Sequence, residues 1–317
     1  MKKMMNIGII GAGVVAERII NASKKHPRAN IKAIYDTDGE RLKAITDKYE
    51  LESAASYQAL LKDDGVDIIY LAVPPKYHYP IAMDILETDK HFICEKPLAN
   101  STDEAKVMYE TVLKKDIVHA MNFPTVYTKA YEKIEELIEQ GFIGRLIRIE
   151  FQGYFTTWPR AWQQNNWIDS REQGGFVREV VTHYVQMIQK LFGNIKGVES
   201  FIEYPEDPDK SETSIIAKGE VNGTPVLINA IADVGMEEEL SFNIIGDKGT
   251  ISLKNWRDVW TSTKDSKLEK IDIKEEDHLV SLLDNIFKAI DGKEARVVDF
   301  KEGYKTHRVI EQLLGNE

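Results

Sequence analysis

Lys96 lies at a position where a lysine side chain could take part in chemistry. Residues 95–99, EKPLA, directly follow the apolar run HFIC, which has the composition of a buried strand. Ligands bind at the carboxyl ends of parallel strands, so the Lys96 ammonium is expected at that edge, where it can reach into the ligand crevice. A lysine at an arbitrary position is usually a solvated surface group. The place after the strand is what favours a catalytic role.

Glu179 and His183 form a pair whose residue types suit proton transfer. They are four residues apart in GGFVREVVTH, residues 174–183, so on a helix they share one face. Histidine titrates near neutral pH, and a neighbouring carboxylate can raise its basicity. The pair therefore suits exchange of a hydroxyl proton. A simple contact between side chains four residues apart is the alternative interpretation.

Residues 11–16, GAGVVA, have the glycine spacing of a dinucleotide-binding loop. They follow an apolar strand and open a helix, so the glycines allow a tight turn and let a pyrophosphate approach backbone N–H groups. Asp36 ends the next predicted strand, where a carboxylate accepts hydrogen bonds from an adenosine ribose and repels a 2′-phosphate. NAD is therefore preferred over NADP, although Arg41 weakens that preference. The expected contacts are Gly11, Ala12, Gly13, Val14, Val15 and Asp36. A glycine turn with a capping aspartate is the alternative.

A proline turn follows the third predicted strand. Residues 71–75 read LAVPP, and a histidine comes three residues later. Prolines stiffen a turn at the strand end where ligands bind, although a plain proline turn leading into a helix is an equally good interpretation. On the first interpretation, the residues expected on the nicotinamide side are Val73, Pro74, His78, Glu95 and Lys96.

The chain up to residue 122 alternates short apolar runs with amphipathic segments, the pattern of a parallel sheet with crossover helices. The predicted strands are NIGIIG, IKAIYD, VDIIYLAV, HFICE and IVHAM. Helices are predicted over residues 14–25, 39–48, 56–62, 79–87 and 102–115. This order predicts an α/β fold with a doubly wound parallel sheet, and we assign residues 1–122 to an NAD(P)-binding domain.

After Phe123 the pattern changes to a helix over residues 129–140 and a series of β-rich segments. Those segments are RLIRIEFQGYFT, GVESFIEY, ETSIIAKGEV, TPVLINAIADV, ELSFNIIG and GTISLKN, with turn sequences such as VNGT and GDKG and one helix near residues 176–192. They predict an open, mostly antiparallel sheet in a second domain, residues 123–317.

Further features of this second half are a loop and two closing helices. The acidic segment 203–212 is predicted as a solvated loop because it holds two prolines and several charges. The closing helices are predicted over residues 275–291 and 299–314, with Asp299 and Glu302 as a capping pair for the last one.

Composition and charge exclude several functional classes. The 317-residue chain has a net charge of −11 and no cluster of basic residues, so nucleic acid is not an expected partner. Cys94 is the single cysteine, so neither an internal disulfide nor a cysteine zinc site is expected, and a reducing cytoplasm is the expected location.

The N-terminus loosely imitates a secretory signal, but its glycines favour the nucleotide loop. The sequence has no apolar run near the ~18 residues of a membrane helix and no recognisable metal-ligand spacing.

Taken together, these segments resemble the glucose-fructose oxidoreductase, inositol dehydrogenase and MocA (Gfo/Idh/MocA) family. The likeness runs through GIIGAGVVAERI, VPPKYHYPIAMDILETDKHFICEKPLANSTDEA, GGFVREVVTH, FNIIGDKGTISL and EGYKTHRVIEQLL, and the EKP block is its most specific part. The resemblance implies a Rossmann domain, then an α/β domain whose open sheet forms homodimer or homotetramer contacts. It also implies NAD(P)-dependent hydride transfer at a carbinol or carbonyl carbon of a sugar, polyol or related small polar substrate.

The resemblance assigns the family's lysine to Lys96 and its histidine to His183. His183 would then exchange the hydroxyl proton, Lys96 would polarise the oxygen, and Glu179 would orient or tune them. The family pattern G-G-x-x-x-D-x-G-x-H carries aspartate four residues before the histidine, whereas this chain has Glu179 there and Val181 in place of the glycine. The carboxylate is kept but is one methylene longer, so the geometry of the pair is expected to differ.

The substrate-binding candidates offer aromatic faces, an amide and two cations. The two cations are arginines, which would suit a carboxylated or phosphorylated sugar. For the tryptophans among the candidates, packing in a core or in a subunit contact is the alternative. These candidates are Asn122, Tyr154, Trp158, Arg160, Trp162 and Arg178.

Two other functions stay open at this point. A related enzyme could reduce another C=O or C=N compound, or could be a hydrolase that uses tightly bound NAD as a transient redox agent. A non-catalytic, NAD-sensing regulatory protein would need the cofactor loop alone. The joint presence of Lys96, Glu179 and His183 argues against the regulatory protein.

Overall fold

The chain folds into two compact units. The computed structural model describes residues 3–163, 165–274 and 276–316. The first unit comprises Met1–Tyr127 and Asp277–Tyr304, and the second comprises Thr128–Glu276 and Lys305–Glu317. Residues near the C-terminus are thus shared between the two units.

The first unit contains a five-stranded sheet in the order β2-β1-β3-β4-β5, and all its pairings are parallel. Its strands are β1 (Met5–Ile10), β2 (Ala29–Tyr35), β3 (Ile68–Leu71), β4 (His91–Glu95) and β5 (His119–Asn122). The central strand β3 is buried at every position, which explains its continuous run of apolar residues. The predicted doubly wound parallel sheet is confirmed.

Five helices connect and flank these strands: α1 (Val14–Lys25), α2 (Gly39–Tyr49), α3 (Tyr57–Lys62), α4 (His78–Leu86) and α5 (Thr102–Val112). Three of them begin at a residue whose side chain accepts a hydrogen bond from a backbone N–H in the first turn. These capping residues are Asp38, Ser56 and Ser101. Local capping therefore sets the starts of α2, α3 and α5.

The second unit begins with α6 (Lys129–Glu139) and contains an eight-stranded sheet in the order β13-β12-β11-β10-β6-β9-β8-β7. Among the described residues of this sheet, only β6 and β9 pair in parallel, so the prediction of a mostly antiparallel sheet is confirmed. The strands are β6 (Leu146–Phe155), β7 (Lys196–Glu203), β8 (Ser214–Val221), β9 (Thr224–Ala232), β10 (Glu239–Gly246), β11 (Gly249–Lys254), β12 (Asp258–Thr263) and β13 (Glu269–Lys270).

One helical segment covers a face of this sheet at the predicted place, and its first turn is a π-helix. A π-helical turn, Val177–Val181, runs directly into α7 (Thr182–Phe192). Aromatic side chains join it to β6: the Phe151 and Tyr184 rings lie 4.3 Å apart, and the Phe155 and Phe176 rings lie 5.1 Å apart. The sheet face toward this helix is the core of the second unit.

The acidic loop before β8 is less solvated than its composition predicts. The prediction of a solvated loop is wrong at the end of the segment, where Ser211 and Glu212 are buried. Glu212 is buried because its carboxylate accepts a hydrogen bond from the N–H of Val177 at 2.7 Å, and that partner lies 35 residues away in sequence.

Two helices close the chain, α8 (His278–Ile290) and α9 (Phe300–Leu313). Helix α8 belongs to the first unit and packs on α1, with the rings of His26 and Phe287 4.9 Å apart. Its predicted start at residue 275 lies outside the described residues. The predicted cap of α9 is confirmed, because the N–H of Glu302 donates to Asp299 Oδ1 at 2.8 Å.

Candidate active site

The glycine loop between β1 and α1 has a shape that requires glycine. Gly11 has a φ of +102°, and a Cβ there would lie 2.2 Å from the carbonyl oxygen of Ala72. Gly13 is the N-cap of α1, no side chain caps this helix end, and apart from its neighbours in the chain no described atom lies within 4 Å of where its Cβ would be. The space beside this helix start is therefore open, and an uncapped helix start suits a phosphate.

Asp36 fixes this loop from the end of β2. Its Oδ2 accepts a hydrogen bond from the N–H of Ala12 at 2.6 Å, and its Oδ1 accepts one from the N–H of Asp38 at 2.8 Å. The Arg41 guanidinium lies 3.8 Å from Asp36 and 3.3 Å from Asp38. A carboxylate can accept about four hydrogen bonds, so Asp36 keeps capacity for ribose hydroxyls. The glycine loop, the uncapped helix and Asp36 fit the pyrophosphate and ribose of NAD.

His78 ties the proline turn to the EKP segment. One ring nitrogen lies 2.8 Å from the carbonyl oxygen of Val73 and the other lies 2.8 Å from that of Pro97. Burial lowers the pKa of His78, so the ring is neutral and donates to one of the two carbonyls. Both nitrogens face backbone carbonyls inside the protein, so His78 links the backbone at Val73 to the EKP segment at Pro97.

A buried polar network lies beside Lys96. Asn122 Nδ2 donates to the Tyr70 hydroxyl at 3.0 Å and to Glu95 Oε1 at 2.6 Å, and the Tyr70 hydroxyl also donates to Glu95. Burial raises the pKa of both Glu95 and Tyr70. For Glu95, the hydrogen bonds from Tyr70 and Asn122 and the charge of Lys96 act in the opposite direction, because they favour the carboxylate. The structure thus places Glu95 and the Asn122 amide group in a network that holds the strand end, while Lys96 is partly exposed.

Glu179 and His183 are separated by an unusual helical turn. The N–H of Thr182 donates to the carbonyl of Val177, five residues back, which marks a π-turn directly before His183. Such a turn is wider than an α-helical one, and the pairing of Glu179 with His183 on one helical face stays a prediction. Glu179 is partly exposed, and His183 is 6% exposed.

Two buried carboxylates fix the π-turn. Glu212 accepts the Val177 N–H, and burial raises the pKa of Glu212 to about 7. Arg178 donates from Nε and Nη2 to the two oxygens of Glu311, both at 2.9 Å, with the side chains 8% and 6% exposed. Arg178 is therefore committed to an internal ion pair, which its position beside Glu179 does not predict. The sequence carries no local signal for either partner, since Glu311 lies 133 residues from Arg178.

Trp256 connects His183 to a cleft in the second unit, and its sequence position gave no sign of this. The His183 ring meets the Trp256 ring edge to face, with centroids 5.4 Å apart, and the Tyr184 ring stacks on Trp256 at 5.2 Å. Trp256 has a φ of +74°, a left-handed conformation that is rare for a bulky residue. Its backbone is held in a strained state beside the histidine, as often occurs at functional sites.

The cleft has a volume of about 270 Å³ and a mixed lining. It brings together two of the predicted substrate-binding residues, Arg160 and Trp162, and the second of these is 57% exposed. The lining residues are Thr156, Thr157, Arg160, Ala161, Trp162, Glu238 and Trp256.

The other aromatic candidates lie elsewhere. Trp158 packs against Phe155 and Phe176, at ring distances of 5.3 and 5.9 Å, and so forms the layer behind Arg160. Side chains alternate along a strand, and Phe155 faces the helix-covered side of the sheet. Tyr154, its neighbour in β6, therefore points to the opposite face. The structure does not bring Tyr154 to the cleft.

Across the described ranges, no helix is long and apolar enough to cross a membrane. Within the same residues, no group of three or more His, Cys, Asp or Glu side chains is arranged to hold a metal ion.

Several similar proteins are named as dehydrogenases. A levoglucosan dehydrogenase of Pseudarthrobacter phenanthrenivorans is 28% identical over 225 residues, a match that spans 65% of this chain and 56% of that relative. An inositol 2-dehydrogenase of Corynebacterium glutamicum is 23% identical over 273 residues, 81% of this chain and 78% of that protein. A solved levoglucosan dehydrogenase in complex with NADH and L-sorbose shares the fold, with a TM-score of 0.89 at 20% identity over 99% of this chain and 97% of its own.

Two family models match the chain. Residues 5–123 match the model described as "Oxidoreductase family, NAD-binding Rossmann fold", and residues 135–314 match the one described as "Oxidoreductase family, C-terminal alpha/beta domain". The chain belongs to the Gfo/Idh/MocA family of NAD-binding oxidoreductases.

Proposed function

We propose that this protein is an NAD-dependent dehydrogenase or reductase that acts at a carbinol or carbonyl carbon of a sugar, polyol or related small polar substrate. The observation that carries the proposal is the nucleotide cradle: a left-handed Gly11, an uncapped α1 and the Asp36 carboxylate bonded to Ala12. Relatives named for levoglucosan and inositol support the substrate class. Bound NAD would supply the hydride acceptor or donor.

The preference for NAD over NADP rests on Asp36. Its carboxylate is anchored by two backbone N–H groups, so it cannot swing away from a 2′-phosphate without losing both bonds. Arg41, the nearby cation, already faces the two carboxylates of Asp36 and Asp38. A 2′-phosphate would therefore meet a site whose positive charge is already neutralised. In this proposal, residues 1–122 bind the cofactor.

Three side chains have proposed roles in the reaction. Lys96 polarises the substrate oxygen from its place after β4, where the buried Glu95 network holds the backbone. His183 exchanges the hydroxyl proton. Glu179, four residues before His183 on the same helical segment, orients or tunes this histidine. His78, Val73 and Pro74 shape the nicotinamide side.

The second unit is proposed to bind substrate and to join subunits. The open face of its sheet carries exposed apolar residues, Phe201, Ile216 and Leu227, on three adjacent strands. Exposed apolar side chains grouped on a sheet face are typical of an interface. We propose a homodimer or homotetramer through this sheet, in the cytoplasm, with Tyr154 on the same face as a contact residue.

The test is reduction of NAD, followed by absorbance, when the purified protein meets a panel of polyols, aldoses and sugar acids. We expect turnover with at least one hydroxyl compound and a loss of about 100-fold or more in Lys96→Met, the scale of a lost acid–base group. Lys106→Met, an exposed lysine on α5, is the matched control and should keep full turnover. Silence across the panel despite measurable NAD binding, or equal turnover in Lys96→Met, would contradict the proposal.

A further inference from the structure

The charge of the cleft beside Trp256 is balanced by one ion pair. Arg160 Nε donates to both carboxylate oxygens of Glu238, at 3.0 and 2.9 Å, and the side chains are 12% and 36% exposed. The guanidinium also lies over the rings of Phe155 and Trp158, at 5.2 and 5.6 Å. Arg160 is therefore held in place on two sides. The cleft lining as a whole carries one positive and one negative charge.

Polar atoms around this ion pair are short of acceptors. Arg160 Nη2 and Trp158 Nε1 are buried hydrogen-bond donors with no partner in the described part of the chain. The Tyr184 hydroxyl is likewise buried without a hydrogen-bond partner among the described residues. It lies close enough to Arg160 and Glu238 for both charges to act on it. Buried donors without acceptors are rare in proteins and call for a ligand or water that supplies oxygen atoms. Of these three residues Arg160 alone lines the cleft, and a ring with several hydroxyl groups offers acceptor oxygens to its guanidinium and donors to Glu238.

Trp256 gives the cleft an aromatic wall next to His183. The preceding residue, Asn255, is also left-handed, with a φ of +47°, so two successive residues hold the indole in this orientation. The indole meets His183 on one side and belongs to the cleft lining on the other. Small-molecule sites combine aromatic walls of this kind with a few fixed polar groups. The cleft is therefore adjacent to the histidine to which the proton exchange was assigned.

We propose that this cleft binds an uncharged polyhydroxylated ring and that Glu238 is the residue that discriminates against carboxylated and phosphorylated sugars. Glu238 neutralises Arg160 and places a negative charge 2.9 Å from the one guanidinium of the cleft lining. An anionic substituent would have to share that guanidinium with the carboxylate, and juxtaposed like charges are an effective element of specificity. Arg178, the other arginine expected to bind an acid, is buried with Glu311. The inference rests on the proposed function and replaces the expectation of an acidic sugar with that of a neutral one.

The test uses matched pairs of sugars that differ in one carboxylate: D-glucose with D-glucuronate, and D-galactose with D-galacturonate. Binding to the intact protein with NAD is measured by calorimetry, and NAD reduction is followed in parallel. We expect the neutral member of at least one pair to bind at least about tenfold more tightly. Glu238→Gln keeps the shape but removes the charge, and it should reduce this preference at least about tenfold by tightening uronate binding. Adding Arg160→Met to that variant should abolish the gained uronate binding.

Glu237→Gln is the matched control, since Glu237 is an exposed carboxylate one residue away and outside the cleft lining. It should leave the preference within about twofold, as expected for an exposed charge. Wild-type protein that binds uronates as tightly as neutral sugars, an unchanged preference in Glu238→Gln, or no binding of any of the four sugars would overturn the inference. Neutral-sugar binding without NAD reduction would refute the proposed dehydrogenase function alone. NAD reduction with a preferred sugar acid would refute the cleft assignment alone.

Discussion

Replacing Arg178 by methionine should destabilise the second unit strongly. The substitution leaves the Glu311 carboxylate 6% exposed and without its bidentate partner, and it also removes the hydrogen bond from Arg178 Nη1 to the carbonyl of Arg171. Breaking a buried ion pair on one side costs about 3–5 kcal/mol. For a unit of this size each 1 kcal/mol lowers the Tm by about 2–4 °C, so we expect a fall of about 6–20 °C at pH 7.

The pH dependence of this loss follows from Glu311. Burial opposes its ionisation, but the hydrogen bonds and charge of Arg178 outweigh burial and hold the pKa of Glu311 below its ordinary value. A carboxylate whose pKa is lower in the folded than in the unfolded protein stabilises the fold at pH values above its unfolded pKa. This stabilisation is lost as the pH falls through its folded pKa. Arg178→Met removes this contribution, so the difference in Tm between variant and wild type should be largest at neutral pH and should shrink toward acid.

Calorimetric unfolding between acid and neutral pH is the assay. Lys218→Met is the matched control, because Lys218 pairs with Glu199 at 2.9 Å with both side chains more than half exposed, and such pairs contribute about 1 kcal/mol or less. The double variant Arg178→Met, Glu311→Leu should recover most of the stability, since replacing both partners by apolar residues is often neutral. If Arg178→Met unfolds within about 2 °C of wild type and instead weakens substrate binding, the internal role assigned to Arg178 is refuted.

The remaining predictions concern the cofactor loop, the buried Glu212 and the histidine. Asp36→Ala should weaken NAD binding and narrow the gap between NAD and NADP, measured by titration of both nucleotides; an unchanged NAD affinity would rule out the ribose contact. Burial raises the pKa of Glu212 to about 7, so the stability that this group contributes is present at acid pH and is lost as the pH rises. The free energy of unfolding should fall by up to roughly 3 kcal/mol between pH 4.5 and 7, and Glu212→Gln should lack that fall in the same calorimetric series. His183→Ala should bind NAD normally and turn over about 100-fold more slowly, and normal turnover in that variant would remove its proton-exchange role.

Local patterns predicted most of the first unit from the sequence. The glycine loop and the boundaries of α1 follow from residue spacing that acts within a few residues, and the alternation of apolar runs with amphipathic segments predicts the parallel sheet. Asp36 at the end of β2 was predictable as well, because its spacing from the glycine turn of residues 11–16 is that of a ribose-binding carboxylate. Even the cap of α9 at Asp299 followed from a spacing of three residues.

The features that define the second unit's site depend on distant contacts. The π-turn arises where Glu212 and Glu311 hold its residues from 35 and 133 positions away, and no helical periodicity reveals that. Trp256 follows a strand end with no motif around it, and Glu238 meets Arg160 across 78 residues. The short strands β12 and β13 were missed because their polar sequences lack a regular apolar alternation. The pairing of Arg160 with Glu238 and of Arg178 with Glu311 cannot be predicted without these distant contacts.

Transfer of hydrogen from substrate carbon to nicotinamide is the measurement that tests the central claim most directly. The purified protein is incubated with NAD and a panel of C-deuterated polyols and aldoses, and the recovered nucleotide is assayed for deuterium at nicotinamide C4 by mass spectrometry and NMR. The proposed function predicts deuterium in the nicotinamide with at least one neutral hydroxyl compound, and a loss of about 100-fold in Lys96→Met. Nicotinamide that stays free of deuterium across the panel while NAD binds would contradict it.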